Sequence, residues 1–403
     1  MGCPVSADHK LEKEKFIGNY WKERFEKATE TINLWRKHHN LSLKGKTLIW
    51  NSLIISRFIH SGLIFSIPKN IIKDLDNLLK DFLWLDKKHL ISLEKLTLPI
   101  AYGGLGLINL SSHLDSLRIS FLKNAIQSPP VSKMDFLVFS LLHQRLMDVS
   151  PKPSFNNLIQ LAKNKFGAAN TRIRLNSAPT ANLFNSALPP FYSSLWTSLS
   201  LLNSSTASWP KDNRETRFLL ARNQISIPLN DYFKEISPFN SIQKERIFRI
   251  LWKNNAPPLQ NQVFFLFLHR ALPLNDRLHL YANSICPFCK SLITPLGHEH
   301  LFLNCLITKD LLVNALHLLA PSLTISPSSL LYFIFSGGKV KNKRLQNSKL
   351  ILLHRKWFHL VWCSFVSSLS LSSSSSSSVP SSSFSSSPSP SLSFILSSFI
   401  FSL

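Results

Sequence analysis

The chain has 403 residues and carries 46 Lys and Arg against 22 Asp and Glu, a formal net charge of +24. Its five cysteines are too few for a disulfide scaffold, and no apolar run reaches the length of a membrane span, since Leu392–Leu403 is short and broken by serines. The length allows two or three domains, and a basic excess of this size points to a polyanionic partner, of which nucleic acid is the commonest.

Charge distribution sharpens that reading. No acidic residue stands between Val149 and Lys211, and none follows Asp310. Phosphate contacts need Lys and Arg without competing carboxylates, although an acidic membrane surface attracts the same charges. The clustered cysteines fit a reducing compartment, and the N-terminus shows no signal peptide. Met1-Gly2-Cys3-Pro4-Val5-Ser6 matches a myristoylation pattern beside a cysteine open to palmitoylation.

In chain order, residues 1–125 read as helical. Ser42 is placed to cap a helix running toward Phe65, with Leu43, Thr47, Trp50, Ile54 and Phe58 on its buried side and Gly45 weakening its first turn. Pro68 precedes a second helix in which Ile71, Ile72, Leu75, Leu78, Leu79, Phe82 and Leu83 recur at helical spacing. Tyr102-Gly103-Gly104-Leu105-Gly106 breaks the pattern as a turn, and its spacing is not that of a dinucleotide fingerprint. Residues 126–235, rich in Pro, Ser and Asn, read as a linker with short helices.

Order resumes at Ser241. Ile247, Ile250, Leu251 and then Val263–Leu268 alternate with basic residues, Pro257-Pro258 separates two elements, and Asn275 caps a short helix through Leu280. Beyond it, residues 326–366 read as a basic helical extension containing the run Lys339–Arg344. From Ser367 to the end, serine tracts cannot bury enough apolar surface to offset ordering entropy, so 367–403 is expected to be disordered. The predicted class is mainly α.

The strongest chemical signal is Cys286-Pro-Phe-Cys289 followed by His300 and Cys305. Thiolates and neutral imidazole are the ligands zinc prefers, and four of them close a tetrahedral structural site with no position for a catalytic water. His298 competes for the imidazole place. Leu301-Phe302-Leu303, directly after His300, would anchor that residue's turn against a core. No catalytic group stands out: His38-His39, His354 and His359 read as surface or satisfied histidines, Cys363 beside Trp362 reads as core, and Ser or Cys nucleophile signatures are absent.

The motifs also occur in a familiar order. Leu251-Trp252-Lys253, Pro257-Pro258, Phe264–Pro273, Asn275-Asp276-Arg277-Leu278, the Cys286 pair and His300-Leu301-Phe302 to Cys305 resemble the zinc-binding domain that follows the reverse transcriptase of LINE-type (non-LTR) retrotransposons. That likeness spans about residues 245–310. Leu34-Trp35, Leu41–Lys46, Ile67-Pro68, Phe82-Leu83-Trp84 and Gly103–Leu107 are similar to the stretch after the polymerase palm of the same elements, and Gly2–Ser6 then reads as internal polyprotein sequence rather than a lipidation signal. Leu296 and Gly297 stand where that family often has Glu-Thr. The chain contains no Asp-Asp pair of the kind that holds a polymerase's metal ions.

The resemblance implies a division into a post-palm or thumb-like region (1–125), the linker (126–235), a zinc-binding domain (236–325), the basic extension and the serine tail. It implies structural Zn2+, RNA and DNA as partners, an upstream polymerase core on a separate or preceding segment, no membrane, no catalysis by this chain alone, and a nuclear or cytoplasmic location. By the same likeness Lys44, Lys46, Lys253, Arg270, Arg277 and Lys290 are candidates for phosphate contacts, and Trp252 and Phe288 for base stacking. Two other readings follow from the residues: a non-functional genomic remnant of such an element, and a basic, lipid-anchored protein of the membrane surface.

Overall fold

A computed structural model describes residues 10–38, 41–85, 90–127, 195, 198, 201, 210–224, 241–272, 274, 284–293, 297–321, 325–336, 338 and 348–373. The Gly2–Ser6 motif, His39, most of the expected linker, the helix expected at Asn275–Leu280 with Arg277, the basic run Lys339–Arg344 and the serine tail beyond Ser373 lie outside the described residues. Within them the protein is mainly α-helical, as expected from the sequence.

The N-terminal helices are α1 (Lys10–Arg36), α2 (Leu43–Ile49), α3 (Ser56–Ile64), α4 (Lys69–Trp84), α5 (Leu93–Thr97) and α6 (Leu110–Gln127). Ser42 caps α2 as its sequence position requires, its hydroxyl oxygen accepting from the Gly45 amide at 3.2 Å. The helix expected to run unbroken to Phe65 contains a π turn at Trp50–Ile54, where the Ile55 amide reaches back to the Trp50 carbonyl at 3.0 Å. The predicted face holds across the turn: Leu43, Thr47, Trp50, Ile54 and Phe58 are all buried. Helix α4 follows Pro68 and ends on Leu85, a non-glycine residue at φ 49°.

The glycine loop after α5 folds back on that helix. Leu105 and Leu107 both donate to the Leu96 carbonyl, at 3.0 and 3.1 Å. A Cβ on Gly104 would stand 1.8 Å from the Leu98 carbonyl oxygen, so only glycine fits. Asn51, on the π turn, clasps the loop from the other side: its Nδ2 donates to Gly106 O at 3.0 Å and its Oδ1 accepts from the Ile108 amide at 2.9 Å.

The later elements are α7 (Asn213–Gln224), α8 (Ser241–Leu251), α9 (Pro258–Leu268), a two-strand antiparallel hairpin β1 (Ser284–Ile285) and β2 (Leu292–Ile293), a π turn at His300–Asn304, α10 (Leu306–Leu319), α11 (Pro327–Ser336) and α12 (Ser348–Ser373). In the hairpin Ser284 pairs with Ile293 and Ile285 with Leu292. Helix α12 carries order through Ser367–Ser373, residues expected to be disordered; its buried face of Leu350, Leu353, Trp357, Phe358, Val361 and Phe365 sustains the helix into the first serines.

One hydrophobic core runs through both halves, from Trp21 and Phe58 to Phe264, Phe302, Trp357 and Phe358. Polar contacts join them as well. Gln262 of α9 accepts from the Leu43 amide at 2.6 Å, and His269 Nε2 donates to the Gly103 carbonyl at 2.7 Å. Around Phe267 the rings of Phe302, Phe335 and Phe358 lie at centroid distances of 5.1, 5.8 and 4.8 Å, the spacing at which aromatic pairs add to simple burial.

Beneath that cluster lies a polar chain that the sequence pattern did not announce. Arg355 is 1% exposed, its Nε donates to Asn261 Oδ1 at 3.0 Å and its Nη1 to His354 Nδ1 at 2.8 Å, and its guanidinium lies 4.0 Å from the Phe264 ring centroid. His354 in turn donates from Nε2 to the Ile334 carbonyl at 2.6 Å, which makes it the satisfied histidine that was expected. Asn261 and Asn254 exchange amide hydrogen bonds at 3.0 and 3.1 Å. No helix among the described residues is long and apolar enough to cross a membrane.

Candidate metal centre

The hairpin builds half of the centre. Between its strands, the Lys290 amide donates to the Cys286 carbonyl and the Cys286 amide to the Ser291 carbonyl, both at 3.0 Å. That tight turn throws the Cys286 and Cys289 side chains to one side, and Lys290 takes φ 59° to close it, a conformation that costs a non-glycine residue about 1 kcal/mol. The other half comes from the π turn. Leu301 and Phe302, 0% and 1% exposed, pin it to the core, and Cys305 follows as the N-cap residue of α10. Thr308 locks this corner through its hydroxyl, which donates to the Leu301 carbonyl at 2.9 Å and the Cys305 carbonyl at 3.2 Å.

These two pieces bring Cys286, Cys289, His300 and Cys305 together, with one ligand atom of each lying within 4.8 Å of all the others. The Cys286 and Cys305 sulfurs are 3.9 Å apart, and Cys289 Sγ is 3.4 Å from His300 Nε2. The four are close enough to hold one metal ion. His298 stands outside the group and is fully buried. The facing Cys305 sulfur, and then burial, push the Cys286 thiol up, while the contact with Cys286 and the Thr308 amide favour the thiolate at Cys305. Cys363 takes no part. It is exposed beside His359 on α12, where the expectation was a core position; its neighbour Trp362 packs inward and Cys363, one residue on, points away.

The basic candidates divide. Lys253 and Lys290 are exposed. Arg270 is exposed but lies 3.5 Å from the Glu299 carboxylate. Lys44 is half-buried, its Nζ 5.3 Å from the Trp252 ring centroid and 3.5 Å from the Trp252 carbonyl, and burial lowers its pKa. Lys46 is 8% exposed, and its Nζ donates to Leu83 O at 2.9 Å and sits 5.7 Å from the Phe82 ring centroid, a buried position that the sequence reading did not foresee. Positions 43, 46, 47 and 50 share one helical face, a spacing that would have placed Lys46 inside. Arg277 lies outside the described residues. Trp252 and Phe288 are half-buried and pack on the core.

Fold and site together describe a mainly helical protein with a Cys3His cluster able to hold a metal. No known family model matches the chain. Over 170 residues it is 26% identical to the "Transposon TX1 uncharacterized 149 kDa protein" of Xenopus laevis, a match covering 40% of this chain and 12% of that protein. This distant similarity supports a transposon origin.

Proposed function

We propose that the chain is a zinc-stabilised nucleic-acid-binding segment of a LINE-type retrotransposon reverse-transcriptase polyprotein, without the polymerase's catalytic aspartates. The single observation that carries this reading is the convergence of Cys286, Cys289, His300 and Cys305. Tetrahedral zinc with its usual bond lengths sets sulfur–sulfur edges of about 3.8 Å and sulfur–nitrogen edges of about 3.6 Å. The distances of 3.9 and 3.4 Å fit that frame. Zinc, when bound, would tie the hairpin to the start of α10 and offset most of the charge of the three thiolates. With four protein ligands the site is closed, so its role is structural.

The similarity to a transposon protein and the net charge of +24 support the nucleic-acid part. Lys253, Lys290 and Arg270 are the surface cations of this reading, the last at the cost of its contact with Glu299. Arg277 belongs to it by position in the motif. The test is a salt titration of RNA and DNA binding by the zinc-loaded chain. Affinity should fall with a slope set by the number of phosphates contacted. Binding that fails at low salt, or that does not respond to salt, overturns the reading.

A further inference from the structure

We propose that the cavity between α4, the glycine loop and α7 binds one nucleotide, its phosphate on Arg217 and Arg214 and its planar ring against Phe218. The cavity measures about 870 Å3, within the size range of small-molecule sites. It shares no residue with the metal centre.

Helix α7 is fixed on α6: Asn213 hydrogen-bonds Ser120, and Lys123 Nζ donates to the Pro210 carbonyl at 2.6 Å. Arg214, Arg217 and Phe218, at i, i+3 and i+4, then line the cavity from one face of α7. The Arg217 Nε is buried with no hydrogen-bond partner among the described residues. So is the indole Nε1 of Trp84, a residue only 6% exposed that lines the same space from the end of α4. A buried donor without an acceptor is costly, and a bound ligand rich in acceptors would satisfy it. The Phe218 ring is held flat by Tyr102, at a centroid distance of 4.7 Å and 16° between planes.

Two carboxylates, Asp76 and Glu94, and the Lys80 ammonium share the lining. A bare anion gains nothing from carboxylates. A nucleotide does, because its ribose hydroxyls and exocyclic amines are donors that carboxylates accept.

The source is either a free nucleotide or one unit of a strand, and calorimetry on the full chain separates them with three probes: AMP, inorganic phosphate and a short single-stranded oligo(dA). AMP binding that Arg217→Gln weakens about tenfold, the loss of one charge-assisted contact, supports the proposal with a free nucleotide. Binding of oligo(dA) but not AMP, weakened by the same variant, supports it with a strand. Trp84→Phe keeps an aromatic ring and deletes the donor, and should also weaken binding; it serves if Arg217→Gln fails to fold by circular dichroism. Equal binding of phosphate and AMP, no binding by AMP or oligo(dA), or affinities that neither variant changes overturn it.

Discussion

His269 Nε2 donates to the Gly103 carbonyl across 2.7 Å, between residues separated by 166 positions in the chain. The ring is packed between Phe248 and Phe265 at centroid distances of 5.6 and 4.5 Å, and burial pulls its pKa down to about 4. A histidine that is neutral when folded and ionises near 6.5 when unfolded binds more protons in the unfolded state between those values. Its contribution is therefore complete above about pH 6.5 and is lost as pH falls toward 4, by at most about 3 kcal/mol. Urea melts of wild type and His269→Gln from pH 7.5 to 4.5 check this: the variant, which keeps a donor but cannot titrate, should show a flatter stability profile. Parallel profiles refute the assignment.

Removal of the metal should loosen the hairpin and the start of α10 together. Zinc-loaded protein is expected to carry one equivalent by elemental analysis. Cys289→Ser or Cys305→Ala should abolish it and lower the melting temperature by on the order of 10 °C. Cys363→Ser should retain the metal, since that thiol is exposed and outside the cluster. Loss of zinc in Cys363→Ser would point to a different ligand set.

Asn261→Ala should be more damaging than its size suggests. It strips the acceptor from Arg355 Nε and the donor that satisfies the Ala256 carbonyl at 3.1 Å, at a cost of about 3 kcal/mol. In the double variant Asn261→Ala/Arg355→Met the buried charge is gone, so stability by chemical denaturation should partly return. Additive losses would mean the two side chains act independently.

Lys46 and the exposed lysines should separate by experiment. Lys46→Met should alter stability while leaving the salt slope of nucleic-acid binding unchanged, because its ammonium is held by the Leu83 carbonyl. Lys253→Ala and Lys290→Ala should each reduce that slope by about 1 without affecting the melt. A Lys46 variant that changes the slope would return that residue to the interface.

Much of this was legible in the sequence. The buried face of α2 and α3 and the helical period of α4 came through because one apolar residue per turn leaves few alternatives. The cluster of Cys286, Cys289, His300 and Cys305 was readable as a candidate metal site because so few residue types suit a closed structural site. His300 over His298 was arguable from the apolar triplet that follows it, and burial of Leu301 and Phe302 is the physical reason the π turn stands where it does. What escaped reading was tertiary. Lys46 has a charge that belongs on a surface and a position that belongs inside, and its contacts with the Leu83 carbonyl and the Phe82 ring show that position wins. Cys363 was misplaced because its apolar neighbourhood says core while the helix phase says outside. Arg355 offers no sequence signal at all, since its partners Asn261 and His354 are satisfied without a carboxylate.

The bond from the Leu43 amide to Gln262 spans 219 positions of chain. During synthesis at typical rates, the surface of α2 that awaits α9 would stay uncovered for roughly 10–40 s. A nascent chain with so long a delay invites chaperones and proteases to that surface, and any premature stop before α9 leaves it uncovered for good.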